Sequence, residues 1–158
     1  MYDRILIPTD ASRGTNRAVE NGLDIAEKYG ATVHALYVVD TSAYSTLPAD
    51  YNWEAVHSAF EREGEEATSD IEKAAEERGV EIVTEVEEGV PPRTILDYAD
   101  DNGIDLIVMG THGKSGFDRL LLGSVTEKVV RKSEIPVLTV RMVEDEEEDE
   151  SLNENQDD

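Results

Sequence analysis

The chain alternates between short apolar runs and longer stretches in which apolar residues recur at helical spacing. Apolar runs bounded by turn residues are typical of buried strands, whereas a repeat of about 3.6 residues is typical of helices that pack by one face. The predicted strands are residues 4–8, 32–39, 80–86, 104–109 and 136–141. The predicted helices are residues 12–29, 53–78, 91–102 and 125–132.

Local signals define the ends of several of these elements. Ser12 is the expected N-cap of the first helix, and Gly30 is its expected stop. The third strand alternates apolar and polar residues, which predicts a half-covered strand at an edge, and residues 87–89 break that pattern. The inward face of the first helix is expected to comprise Val19, Gly22, Leu23, Ala26 and Tyr29.

Strands that alternate with helices predict an α/β fold, in which a parallel sheet carries helices on both faces. Because its crossovers are right-handed, such a sheet reverses its winding direction at one point, and ligands bind there at the carboxyl ends of the strands. Pro8-Thr9-Asp10 ends the first predicted strand, and Gly110 follows the fourth. If these strands are neighbours, both segments line one crevice.

A spaced glycine motif follows the fourth strand. Gly110-Thr-His-Gly113 is separated by nine residues from Gly123-Ser124-Val-Thr126, where a helical pattern begins. Glycines let main-chain amides approach phosphate oxygens, and a helix start adds unpaired N–H donors, so the motif predicts a nucleotide site. A structural loop with a helix cap is the alternative. The motif is not a P-loop, which would need glycine at Val108, and no dinucleotide-binding G-x-G-x-x-G follows the first strand.

The composition is strongly acidic. Thirty-seven Asp and Glu against 14 Lys and Arg give a net charge of -23, which disfavours nucleic acid as a partner. Residues 144–158 hold ten acids and no basic residue, which predicts a disordered tail after a domain spanning residues 1–143. Those first 143 residues still carry -13, a balance that indicates adaptation to a salty cytoplasm. Cysteine is absent, so disulfides are excluded.

The glycine motif together with Pro8-Thr9-Asp10 resembles the universal stress protein family, in its ATP-binding branch, over residues 1–143. The resemblance implies an open five-stranded parallel sheet of order 3-2-1-4-5 and a homodimer formed through the last strand. It implies that Pro8, Thr9 and Asp10 approach the ribose and adenine, and that Val38 and Met109 flank the adenine. The residues that it implies around the ribose and phosphates are Gly110, His112, Gly113, Gly123, Ser124, Val125 and Thr126.

Two side chains of this set admit more than one role. Asp10 either accepts hydrogen bonds from a ribose or caps the turn that leads into the first helix. His112 either contacts phosphate, acts as a general base, or packs locally. No metal-cage spacing of ligands is evident, so Mg²⁺ is expected to arrive with the nucleotide. A phosphoacceptor receiver domain is disfavoured, because its Asp at the end of the third strand is replaced by Glu87 and Glu88.

The expected function is therefore that of an ATP-binding stress sensor or regulator with slow or no ATP hydrolysis, since no nucleophile–base pair or arginine finger is evident. A cytoplasmic location is expected, because the chain begins without a signal-peptide pattern and no apolar run approaches the ~20 residues of a membrane helix. Two alternatives stay open. One is a homodimeric interaction module that binds no nucleotide, and the other is an enzyme that transfers adenylate.

Overall fold

A computed structural model of the chain describes residues 1–112 and 122–142, and within them five strands and four α-helices follow the predicted order. The strands are β1 (Arg4–Thr9), β2 (Thr32–Asp40), β3 (Ile82–Gly89), β4 (Leu106–Gly110) and β5 (Val137–Val140). The helices are α1 (Gly14–Tyr29), α2 (Trp53–Glu77), α3 (Pro91–Asp101) and α4 (Ser124–Lys132), and a 3₁₀ helix (Thr41–Thr46) follows β2. The acidic tail at residues 144–158 lies outside the described residues.

The strands form one parallel sheet in the order β3-β2-β1-β4-β5, which confirms the expected topology. The central strand is β1, in which Ile5 pairs with Val33 of β2 on one side and with Leu106 of β4 on the other. The winding direction therefore reverses between β1 and β4, at the position where a ligand crevice is expected. The edges are β3, as predicted from its alternating pattern, and β5.

Two helices cover each face of this sheet. Helices α1 and α2 pack on the face that carries Ile5 and Ile7, and α3 and α4 pack on the face that carries Leu6. Side chains alternate between faces along a strand, so these three consecutive residues serve both cores, and each is fully buried. Burying such a side chain stabilises the fold by about 1.5–3 kcal/mol, which explains why β1 is an unbroken apolar run.

One buried polar pair joins α3 to the sheet. His34 of β2 lies with its Nδ1 2.8 Å from the hydroxyl oxygen of Tyr98. Burial lowers the pKa of His34, and the nearby Arg4 cation lowers it further, although Glu85 opposes them. Burial raises the pKa of Tyr98 to about 12, with additional contributions from Glu85 and Glu87. Both groups are therefore neutral near pH 7, and the hydrogen bond satisfies two polar atoms inside the core.

Three predicted details at the ends of elements are wrong. Strand β3 includes residues 87–89, because main-chain pairing with β2 continues beyond the point where the apolar pattern breaks. The N-cap of α1 is Arg13 instead of Ser12, and it makes no side-chain capping bond. Tyr29 does not face inward: it is 44% exposed, and its ring packs edge-on against Tyr2 with centroids 5.5 Å apart.

Within the described ranges, no helix has both the length and the apolar character needed to cross a membrane.

Candidate functional site

The crevice between β1 and β4 brings Pro8, Val38 and Met109 to one face of the sheet. Val38 and Met109 both pack with the core that α3 and α4 cover. Leu6 pairs with Ile107, and continuing that register by two residues sets Pro8 opposite Met109. Two strand spacings, about 9–10 Å, separate β2 from β4. The three residues therefore form an apolar patch on this face, in which Pro8 and Met109 are buried and Val38 is half-buried.

Thr9 lies on the opposite face of the sheet. It is 9% exposed and lines a groove of about 520 Å³ between α1 and α2, away from Val38 and Met109. Four acids also line this groove, namely Glu20, Glu63, Glu66 and Asp70. Carboxylates repel phosphate groups, so the groove does not suit a triphosphate.

Asp10 holds the turn between β1 and α1. Its Oδ1 accepts hydrogen bonds from the Ser12 amide at 2.9 Å and from the Thr15 hydroxyl at 3.3 Å. The intervening Ala11 has a φ of 65°, which is the left-handed conformation that side chains disfavour. Asp10 therefore caps the turn that leads into α1, which is one of the two roles that the sequence left open for it. These hydrogen bonds stabilise a strained turn at the edge of the crevice.

Gly110, at the end of β4, lies in contact with the start of α1. A Cβ atom at this position would lie 2.9 Å from the carbonyl oxygen of Gly14. In turn, a Cβ atom at Gly14 would lie 2.9 Å from the carbonyl oxygen of His112. Glycine is therefore required here for packing between backbones, a reason separate from the approach of phosphate that the motif predicts.

The start of α4 faces the same end of the sheet. The Thr126 hydroxyl, in a residue that is only 4% exposed, donates to the carbonyl oxygen of Gly110 at 2.8 Å. Gly123 donates its amide to the carbonyl oxygen of Thr111 at 2.7 Å, so this amide is engaged within the protein. The first bond of the helix runs from the Glu127 amide to the carbonyl oxygen of Gly123 at 2.9 Å.

Among the described residues of the motif, the amides that begin α4 are consequently the best-placed anion donors. Residues 124–126 precede the first helical hydrogen bond, so their N–H groups have no intrahelical acceptor. A helix start carries roughly half a positive charge, which favours an anion such as phosphate. The Ser124 side chain is exposed, whereas Val125 is half-buried and packs with the core residues near Val38.

Two further residues of the predicted set lie in the loop that follows β4. His112 is half-buried, and its Nδ1 is 2.9 Å from the Thr111 hydroxyl, a local contact consistent with the packing role left open for it. Gly113 lies outside the described residues, as do residues 114–121 of the nine-residue spacer that follows it. Thr111 itself donates its amide to the carbonyl oxygen of Val140 at 3.1 Å, which ties the loop to β5.

A second polar cluster was not singled out from the sequence. His57 and Glu61 on α2 meet Glu88 of β3 near the carboxyl ends of the outer strands. The hydrogen bond with Glu88 raises the pKa of His57, and the Glu88 and Glu61 charges add to the shift. The four-residue spacing of His57 and Glu61 places both on one helix face and is a signal readable in the sequence. Glu88 joins them only through the tertiary fold.

Together, the topology and the residues at its switch point define a doubly wound α/β protein, with an apolar patch and a helix start at the carboxyl end of the sheet. The model of the universal stress protein family matches residues 1–141. The chain therefore belongs to the universal stress protein family.

Known proteins similar to this chain support the assignment. Universal stress protein MJ0531 of Methanocaldococcus jannaschii is 45% identical over 141 residues, which cover 89% of this chain and 83% of the relative. The solved structure of hypothetical protein MJ0577 matches with a TM-score of 0.81 at 31% identity, covering 92% of this chain and 99% of that one. A universal stress protein from Archaeoglobus fulgidus, solved in complex with dAMP, shares the fold with a TM-score of 0.60 at 23% identity, over 87% and 97% of the two chains.

Proposed function

We propose that this protein is an ATP-binding regulator of the stress response that acts in the cytoplasm. The observation that carries the proposal is that the start of α4 lies at the same end of the sheet as the apolar patch formed by Pro8, Val38 and Met109. An adenine ring would lie between Val38 and Met109 above Pro8, with the ribose near Asp10. The phosphates would accept hydrogen bonds from the amides of residues 124–126, with Mg²⁺ accompanying the nucleotide.

The residues present fit such a ligand. The patch is apolar where a purine needs apolar contacts, and the helix start offers donors where phosphates need them. The Archaeoglobus fulgidus protein holds dAMP on the same fold. At that identity the likeness concerns the fold alone, so the argument rests on the crevice of this chain. We expect slow or no ATP hydrolysis, and we expect nucleotide occupancy, not turnover, to be the signal.

Calorimetric titration with Mg·ATP tests this proposal. We expect micromolar affinity, about -8 kcal/mol. Ser124→Asp adds a negative charge to an exposed position at the start of α4. An acid there favours the helix but repels phosphate, so affinity should fall about tenfold while stability is kept. Ser58→Asp adds the same charge to an exposed position of α2 and is the matched control. Equal affinity in both variants, or no binding by the parent, contradicts the proposal.

The adenylate-transfer alternative predicts a covalent product. Mass spectrometry of the protein and its small-molecule pool after incubation with Mg·ATP distinguishes the two functions. Regulation by binding predicts intact ATP and unmodified protein, whereas transfer predicts an adenylated acceptor and released pyrophosphate. Gly113→Val, which places a side chain at a glycine of the motif where phosphate is proposed to sit, is expected to remove most of the binding.

We also propose a homodimer formed along β5, which is the feature that favours the interaction-module alternative. Edge strands present unpaired main-chain groups to a partner. Leu138 on β5 and Val130 on α4 are 36% and 43% exposed, which leaves apolar surface beside this edge. Sedimentation equilibrium should give a dimer for the parent and a monomer for Leu138→Glu. A dimer that binds no Mg·ATP would favour the interaction module over the nucleotide sensor.

A further inference from the structure

The cluster formed by His57, Glu61 and Glu88 has the geometry of a cation site outside the nucleotide crevice. His57 Nε2 is in direct contact with Glu88 Oε1, and His57 Nδ1 lies 3.7 Å from Glu61 Oε1. One ring nitrogen and one oxygen of each carboxylate lie within 4.8 Å of one another. Two elements supply them, because His57 and Glu61 are one turn apart on α2 and Glu88 lies near the end of β3.

A buried hydroxyl beside these carboxylates provides a second, independent observation. Among the described residues, the Tyr44 side-chain oxygen is buried without a hydrogen-bond partner. The Tyr44 ring packs against Trp53, one turn before His57 on α2, and the 3₁₀ helix that carries Tyr44 contacts β3, so this residue lies near the same acids. A buried hydroxyl that is left without a partner destabilises the fold. A hydrated cation at the cluster would bring a partner within reach of it.

The three side chains also suit a particular class of ion. We propose that His57, Glu61 and Glu88 bind a divalent transition-metal ion, with Zn²⁺ preferred to Mg²⁺. An imidazole nitrogen with two carboxylates is a donor set that Zn²⁺, Co²⁺ and Ni²⁺ accept, whereas Mg²⁺ favours oxygen ligands alone. Ligand bonds to such an ion are about 2.0–2.2 Å long, so one ring nitrogen of His57 would coordinate it and both carboxylates would turn toward that nitrogen.

The position of the cluster leaves room for exchangeable ligands. The side chains of His57, Glu61 and Glu88 are 32%, 50% and 48% exposed, so one side of a bound ion would face solvent. The ion would neutralise two carboxylates in a chain of net charge -23. It would also connect the first turns of α2 to β3, an edge strand. None of the residues proposed to contact the nucleotide takes part.

The test is a calorimetric titration of the chelator-treated full chain with ZnCl₂, in about molar KCl with excess Mg²⁺ to suppress weak binding by surface acids. We expect one Zn²⁺ per chain and a loss of about tenfold or more in affinity for His57→Gln, since even outer-shell partners of a metal are worth that much. Glu65→Gln removes an exposed acid elsewhere on α2 and should leave the affinity unchanged.

A spectroscopic readout complements the titration. Trp53, the single tryptophan of the chain, packs edge-on against Tyr44 with centroids 5.1 Å apart. Co²⁺ should therefore quench its fluorescence in the parent and in Glu65→Gln, but not in Glu88→Gln. Glu88→Gln also carries the test if His57→Gln does not fold, which thermal melting followed by circular dichroism reveals. Equal Zn²⁺ affinity in the parent and in these cluster variants, or binding spread over many weak sites, overturns the proposal.

Discussion

The Thr126 hydroxyl donates a hydrogen bond of 2.8 Å to the carbonyl oxygen of Gly110. Sixteen positions separate the two residues in sequence, yet this bond links the first turn of α4 directly to the end of β4. The helix start is thereby held at the carboxyl end of the sheet. The hydroxyl of the motif thus has a structural purpose in addition to its proposed place beside a phosphate.

Thr126→Val should separate these two roles. Valine keeps the shape of the side chain but leaves the Gly110 carbonyl without this donor, so the free energy of unfolding should fall by about 1–3 kcal/mol. Urea denaturation measures the change. Thr126→Ser keeps the hydroxyl and should recover most of the loss. If Val and Ser variants unfold at the same urea concentration, the hydrogen bond contributes no stability and α4 is held by packing alone.

Ala11→Gly should stabilise the protein. The left-handed conformation of Ala11 costs an L-residue about 1–2 kcal/mol, whereas glycine adds about 0.4–1 kcal/mol of unfolded-state entropy, so a net gain of about 0.5–1 kcal/mol is expected. Ala59→Gly, at an exposed position inside α2, is the matched control and should destabilise by about 1 kcal/mol. Opposite shifts in urea midpoint support the strain at Ala11, and a loss of stability in both variants would argue against it.

The fold could be predicted from the sequence because its signals are local and repeated. The run at Ile5, Leu6 and Ile7 is apolar at every position since it feeds two cores, and the intervening helices show one apolar face each. The ends of elements were less predictable. Main-chain pairing continued β3 through Glu87 and Glu88, because register with β2 depends on backbone hydrogen bonds that side-chain pattern does not encode.

The candidate site was predictable in its position and less so in its chemistry. The motif placed Gly110 and Thr126 at one end of the sheet, which the topology supports. It did not reveal that the Gly123 amide is already engaged by Thr111, or that Gly110 touches Gly14. Contacts of this kind join residues far apart in sequence, as does the meeting of His57 with Glu88. They follow from the packed fold and have no local signal.

His34 and His57 should titrate on opposite sides of the ordinary histidine pKa of 6.5. Burial lowers the pKa of His34, so the unfolded chain binds a proton first as the pH falls. Its contribution to stability is therefore present above pH 6.5 and is lost below it. The contact with Glu88 raises the pKa of His57, whose contribution is present below pH 6.5 and is lost as the pH rises through the raised value.

Histidine ring signals followed by NMR against pH give both midpoints directly. We expect the His34 midpoint below that of a model peptide and the His57 midpoint above it. Urea unfolding from neutral pH down to about pH 5 measures how the free energy of unfolding changes with pH. His34→Gln should lose less stability over this range than the parent. Coincident midpoints for the two rings would contradict the assignment.

Repulsion between Glu87 and neighbouring acids should destabilise the protein in dilute buffer, and added salt should relieve it. Burial raises the pKa of the Glu87 carboxyl group, and the charges of Glu85 and Asp101 raise it further. Its folded-state pKa exceeds the ordinary value, so the ionised group destabilises the fold at neutral pH. This penalty begins to fall as the pH drops through the raised pKa and is gone below the ordinary one. The same repulsion acts more diffusely across a chain of net charge -23.

Thermal melting in increasing KCl tests both the local repulsion at Glu87 and the repulsion across the whole acidic chain. The screening length falls from about 30 Å at 0.01 M to about 3 Å at 1 M salt, so the midpoint of the parent should rise steeply and then level off. Glu87→Gln removes one repelled charge and should melt above the parent in dilute buffer. That advantage should shrink in molar KCl, because salt has already screened the repulsion of Glu85 and Asp101. Glu54→Gln, at an exposed position in the first turn of α2, removes an equal charge that favours the helix start and should not stabilise. A parent midpoint that does not depend on salt would show that the acidic surface exerts no net destabilising force, and the inference of adaptation to a salty cytoplasm would fail with it.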